Sequence, residues 1–228
     1  MLTETQSTPA VRRPGPRRWP LRVLAAVTVG MVLYLVSAYV PPDIATSRIP
    51  VRGTLHYGLL VGHIATAAVA ALAGLLQFWP RLRTRYPVAH RWTGRVYLFL
   101  GVFPSSVLAV PVAALAPFGA ANQAALIMLD VLWLGTAIAG FRATRQRRFA
   151  DHRRWMIRNY GLTFAAIATR FWIPVMVLAI LPESASYAGD PSGVAVSHDI
   201  ASGSAWLGLV TTVLATEWIL NRRADRHG

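Results

Sequence analysis

Three ionisable side chains interrupt stretches of this chain that are otherwise apolar: His63, Asp130 and Arg170. A titratable group inside a long apolar run is costly, and it commonly marks an ion or proton pathway or a compensated pair. Counted from the outer ends of their runs at 1.5 Å per residue, the three lie ~14, ~14 and ~17 Å deep, near the midplane of a ~30 Å hydrocarbon core. Arg170 at that depth needs a counter-ion, and Asp130 is the carboxylate available at the same level. The expectation is an ion pair that locks helix packing, or a proton or substrate site that includes His63. Histidine would supply the switching element, because it exchanges a proton near neutral pH.

A second set of candidates lies where apolar runs meet basic loops. Arg91-Trp92-x-x-Arg95-x-Tyr97 returns 63 residues later as Arg154-Trp155-x-x-Arg158-x-Tyr160, and the same offset aligns Phe78 with Phe141 and Arg85 with Arg148. Arginines four apart share a helix face, and Trp and Tyr favour the membrane interface. Arg91, Trp92, Arg95, Tyr97, Arg153, Arg154, Trp155, Arg158 and Tyr160 are therefore expected to anchor the chain among lipid head groups. Anchoring explains the histidines less well. His90 and His152 occupy near-equivalent places, one residue out of register. With His63 they form a ligand or proton-handling set, able to hold a metal or haem if brought together.

Other polar positions have plainer expectations. Gln77 and Asn159 sit where they can bridge helices by hydrogen bonds, and Glu217 is placed to pair with an arginine. Ala70 and Gly74, four apart, favour close helix contact. His56 is expected to be solvated, and His198 and His227 to lie in a loop and a tail without a role.

These side chains need a scaffold, and composition specifies its class. Hydrophobic residues make up 54% of the 228 and charged residues 14%, a balance that argues against a soluble protein. Six apolar runs approach or exceed the ~20 residues needed to cross a bilayer. They are read as about 21–40, 54–79, 93–115, 121–141, 157–181 and 202–220. Residues 1–20 read as a disordered basic tail, 21–220 as the membrane domain and 221–228 as a second short basic tail. The first run is read as a retained span rather than a cleaved signal peptide, because it is long and five more follow. The fold class is thus an all-α polytopic membrane protein.

Charge sets the expected orientation. There is no lysine and no cysteine, so the net charge of +14 comes from arginine. Twenty of the 23 arginines flank spans on one side, Arg48 and Arg52 lie on the other, and Arg170 is within a span. By the positive-inside rule the arginine-rich side is cytoplasmic, with both termini inside and the chain in a bacterial inner membrane. Anionic lipid head groups are the expected partners of this surface, in preference to nucleic acid. Each motif copy then joins a hairpin of two spans. Spans two to five would form a four-helix core of two similar hairpins, with spans one and six outside it.

The combination of His63, Gly74-Leu75-Leu76-Gln77-Phe78, His90-Arg91-Trp92-x-Gly94-Arg95-x-Tyr97 and Asp151-His152-Arg153-Arg154-Trp155-Met156-Ile157-Arg158-Asn159-Tyr160 resembles a bacterial family of predicted membrane proteins, domain of unknown function 2306. The likeness covers about residues 55–180. It implies an integral membrane protein and brings no activity or site residue with it.

Three functions fit these residues. The leading one is a histidine-based b-type haem or quinone-linked redox protein. A proton-linked carrier or channel around His63, Asp130 and Arg170 is the second, and a scaffold or assembly factor without chemistry the third. No phosphate-binding glycine loop, His-Glu-x-x-His helix or Gly-x-Ser-x-Gly elbow occurs.

Overall fold

The computed structural model describes residues 19–180 and 193–224. Both tails read from the sequence, apart from their helical edges, and much of the polar loop before span six lie outside these residues, as does His227. Among the described residues there are helices and no strand. They are α1 (Trp19–Ser37), α2 (Gly53–Gln77), α3 (Pro80–Arg85), α4 (Pro87–Arg95), α5 (Phe103–Ala114), α6 (Gly119–Arg145), α7 (Phe149–Ile180) and α8 (Val194–Ala224). A short 3₁₀ turn, Ile44–Thr46, lies between α1 and α2, and a π-helical segment, Val96–Val102, joins α4 to α5.

Six helical segments are long and apolar enough to cross a bilayer, with α4, the π segment and α5 making one continuous span, Pro87–Ala114. The chain is an all-α polytopic membrane protein. Large apolar side chains such as Leu33, Leu55, Val107, Leu178 and Leu214 are exposed on its flanks, as a lipid-facing surface requires.

Helix boundaries follow local chemistry. Pro80 and Pro87 open α3 and α4 at the first turn, where a missing N–H leaves no helical bond unmade. The α6–α7 turn closes as a Schellman motif. Arg148 N donates to Ala143 O at 2.9 Å and Arg147 N to Thr144 O at 3.0 Å. Arg147 occupies the left-handed position at φ 60°, where glycine is usual. The sixth span starts at Val194, eight residues before the expected Ser202. His198 is consequently helical rather than in a loop, and it lies against Gly119.

Spans two to five pack together, and α8 lies along α7 and α6, giving Leu209 to the same core as Ala70, Tyr97, Val102, Trp133, Ala137 and Tyr160. The sixth span is therefore joined more closely to the central helices than the sequence suggested. α1 lies mainly along α2, with a lesser contact to α7. At the α2 contact with span three, a Cβ on Gly101 would stand 2.8 Å from Ala70 Cα, so only glycine permits that approach.

Candidate functional site

The buried polar groups divide into two sets at different depths. The set toward the arginine-rich face is fully bonded. Tyr97 Oη donates to Asn159 Oδ1 at 2.5 Å and lies 3.1 Å from Thr163 Oγ1. Asn159 Nδ2 donates to Trp133 O at 2.6 Å and Thr136 Oγ1 at 2.9 Å, while Trp133 Nε1 donates to Thr163 Oγ1 at 2.8 Å. Span three, α6 and α7 are thereby tied at one level. Tyr160 Oη donates to Ala71 O at 3.2 Å, and its ring packs at a tilt of 56° against Phe78 with centroids 4.8 Å apart. Such a network fixes helix register and leaves nothing over for a ligand.

Tyr97 and Tyr160 are 1% and 5% exposed, so neither is an interfacial anchor as the motif suggested. Two residues beyond the motif's second arginine, each side chain turns into the bundle, where its hydroxyl finds partners. The other motif residues stay outside. Arg95 lies over the Trp92 ring at 4.9 Å and Arg158 over the Trp155 ring at 5.0 Å, so both copies make the same i,i+3 cation–π pair. Arg91, Arg153 and Arg154 are exposed. Arg158 also reaches Glu217 on α8, Nε to Oε1 at 2.6 Å and Nη2 to Oε2 at 2.9 Å, which is the pairing expected for Glu217.

The histidines near this face are held differently. Gln77 turns its amide oxygen to Thr93 Oγ1 and Gly94 N and donates to His90 Nδ1 at 2.9 Å, leaving the His90 proton on Nε2. His152 Nδ1 lies 2.9 Å from Gly140 O and 2.6 Å from Thr144 Oγ1. A carbonyl only accepts, so Nδ1 of His152 carries the proton and Nε2 is left free. The two rings are close enough for their charges to interact. His63 is not with them, and among the described residues no three of His, Asp and Glu gather as a metal centre.

Nearer the opposite face the polar groups are incompletely bonded. Among the described residues, buried side-chain atoms without a partner are His56 Nε2, Tyr57 Oη, Ser106 Oγ, Asn122 Oδ1, Asp130 Oδ1 and Ser204 Oγ. All lie from the midplane outward. His56 is buried rather than solvated as expected, because its Nδ1 caps α2 by accepting from Arg52 N at 3.0 Å.

At the centre of this region are two consecutive buried serines of α5. Ser105 bonds to α2: its carbonyl and Oγ both lie 3.1 Å from His63 Nδ1, and its Oγ donates to His63 O at 3.3 Å. Ser106 lies beside Asp130 of α6. Neighbouring residues on a helix point ~100° apart, so one dipeptide can serve two flanking helices. The π segment just before it adds a residue to the turn and so sets which way the serines face. At 1.5 Å per residue from their far-side helix ends, His63, Asp130 and Ser105 all lie ~14–17 Å deep.

The anticipated ion pair is absent: Asp130 and Arg170 do not meet. Arg170 Nη1 donates to Ala166 O of its own helix at 3.0 Å and is near Tyr34 and Tyr39 and, more weakly, His63. Depth along a helix is legible from residue count, but the direction around the axis is not. Asp130 faces span three while Arg170 faces the α1–α2 side. Ser105 and Ser106 do not stand out in the sequence, because hydroxyls in an apolar run normally bond back to their own helix. The available signal was a Ser pair directly after Pro104.

A model of a family described as predicted membrane protein, DUF2306, matches residues 60–219. The chain belongs to that family. The match begins within α2 and runs through α8, so the DUF2306 region takes in the sixth span as well as both motif copies. It contains His63, the two serines, Asp130 and Arg170, and it excludes α1. No curated protein and no solved structure matches the chain.

Proposed function

We propose that this DUF2306 protein is a proton-linked carrier or channel whose working groups are His63, Ser105, Ser106 and Asp130. The observation that carries this reading is the contrast between the two halves of the bundle. Polar groups toward the basic face bond one another completely, whereas those around Asp130 keep unused donors and acceptors. A buried polar atom without a partner is rare in a stable fold and calls for a role. An intramembrane carboxyl near a histidine is the side-chain chemistry of proton relays. Asp130 exchanges the proton, the serine hydroxyls accept and donate in turn, and His63 continues the path toward α2. Arg170 supplies positive charge near His63 and does not neutralise Asp130.

The test is proton flux into liposomes containing the purified protein, read with an enclosed pH-sensitive dye. Wild type should acidify the lumen faster than empty vesicles, and Asp130→Asn should abolish the difference. Equal flux in wild type and Asp130→Asn would sink the proposal.

The redox reading keeps one specific support. His63 and His152 each turn Nδ1 to a backbone carbonyl, which is how ligating histidines are commonly oriented, leaving Nε2 as the ligating nitrogen. An absorption spectrum of protein from haem-replete cells, oxidised and then reduced, separates the two: a Soret band that shifts on reduction favours haem.

The arginine asymmetry further supports a cytoplasmic basic face and an inner-membrane location. A fluorescent protein fused to the C-terminus should then be bright, and a periplasmic reporter there inactive.

A further inference from the structure

The basic face carries a cavity distant from the midplane groups. Leu21 and Arg22 of α1, Trp79 at the α2–α3 junction, and Pro80 and Arg81 of α3 line an open recess of about 260 Å³. From these residues we infer a binding site for the phosphate of an anionic lipid head group.

Arg22 and Arg81, from separate helices, both line this one small space, and neither guanidinium has a hydrogen-bond or ion-pair partner among the described residues. An anion seated between two arginines is attracted by both. Guanidinium forks match phosphate oxygens, so a phosphate is the anion best suited to both. The walls say where that phosphate comes from. Arg22 lies one turn into α1, and Trp79 follows the last turn of α2, which places the cavity at head-group depth. Trp79 is 41% exposed, and Leu21 and Pro80 give an apolar side on which a glycerol backbone and the start of an acyl chain can rest. A free phosphate needs the arginines alone; a lipid uses the whole lining. The volume suits a head group rather than a large ligand, whose pockets start near ~300 Å³.

The site is tested by titrating detergent-purified protein with short-chain phosphatidylglycerol, short-chain phosphatidylcholine and inorganic phosphate. Wild type should bind phosphatidylglycerol at least ~10-fold more tightly than the other two. Arg22→Gln/Arg81→Gln should lose that preference, while Arg142→Gln/Arg145→Gln, on the same face but outside the cavity, should keep it. Arg22 and Arg81 are exposed, so elution as the wild-type species on size exclusion should be retained. Equal loss in the two double variants would reduce the effect to general surface charge and overturn the site. Inorganic phosphate binding as tightly as phosphatidylglycerol would overturn the lipid source.

Discussion

Tyr97 and Tyr160, the last residues of the two motif copies, meet at one glycine of α2. A Cβ on Gly74 would stand 2.6 Å from Tyr97 Cε2 and 2.6 Å from Tyr160 Cδ2. Both rings are buried and both carry hydroxyls bonded to other helices, so neither can withdraw freely. Gly74→Ala should lower stability by about 1–3 kcal/mol, the usual range for overpacking. Thermal unfolding in detergent measures it. Gly30→Ala, at a glycine with open space around the added methyl, is the matched control and should change little.

Asp130 and Arg170 make a second, opposite prediction. Because they are not paired, removing the carboxylate charge leaves no orphaned arginine. Asp130→Asn should yield as much folded protein as wild type, and Arg170→Gln combined with it should be additive within about 0.5 kcal/mol. A coupling above about 1 kcal/mol in the double-mutant cycle would restore the ion pair that the geometry denies.

Arg158 and Glu217 tie α7 to α8 through a bidentate contact whose side chains remain 31% and 38% exposed. Solvent screening limits such a pair, so Glu217→Gln should cost less than about 1 kcal/mol. The charge-swapped protein, Arg158→Glu with Glu217→Arg, should recover part of that loss, read by the same melting experiment.

Arg147 turns the chain between α6 and α7 with φ at 60°. A side chain there costs roughly 1–2 kcal/mol, and glycine avoids it. Arg147→Gly should therefore raise the melting temperature, while Arg148→Gly, which removes an ion pair to Asp151 and has no such strain, should not.

Much of this architecture was legible because membrane helices advertise themselves by length and polarity. All six spans occur where the apolar runs placed them, although the third, fifth and sixth begin earlier, at Pro87, Phe149 and Val194, and Gln77, Asn159, Ala70, Gly74 and Glu217 make the kinds of contact expected. What failed was anything that depended on azimuth. Tyr97 was grouped with its interfacial neighbours although a two-residue step rotates it ~200° from Arg95. The π segment could not be foreseen, since no periodicity announces an added residue within one turn. His56 was placed by its nearness to a helix end, yet its capping bond to Arg52 N draws it inward.

The unequal bonding of the two halves also has a mechanical consequence. Fasteners gathered at one end make a bundle behave like tongs: the helices part by pivoting about the joined end, and the gap opens at the other. Span three, α6 and α7 are clipped together by Tyr97, Asn159 and Trp133, and on the far side Asn122 and Trp206 hold α6 to α8, so a pivot at the clip would part span three from that pair. Small splaying movements would wet the serines and Asp130 from the side away from the arginines, while the pivot keeps the arginine-rich side shut. In the proposed carrier or channel, opening on the far side would then come first, and opening toward the arginines would require the clip itself to be undone.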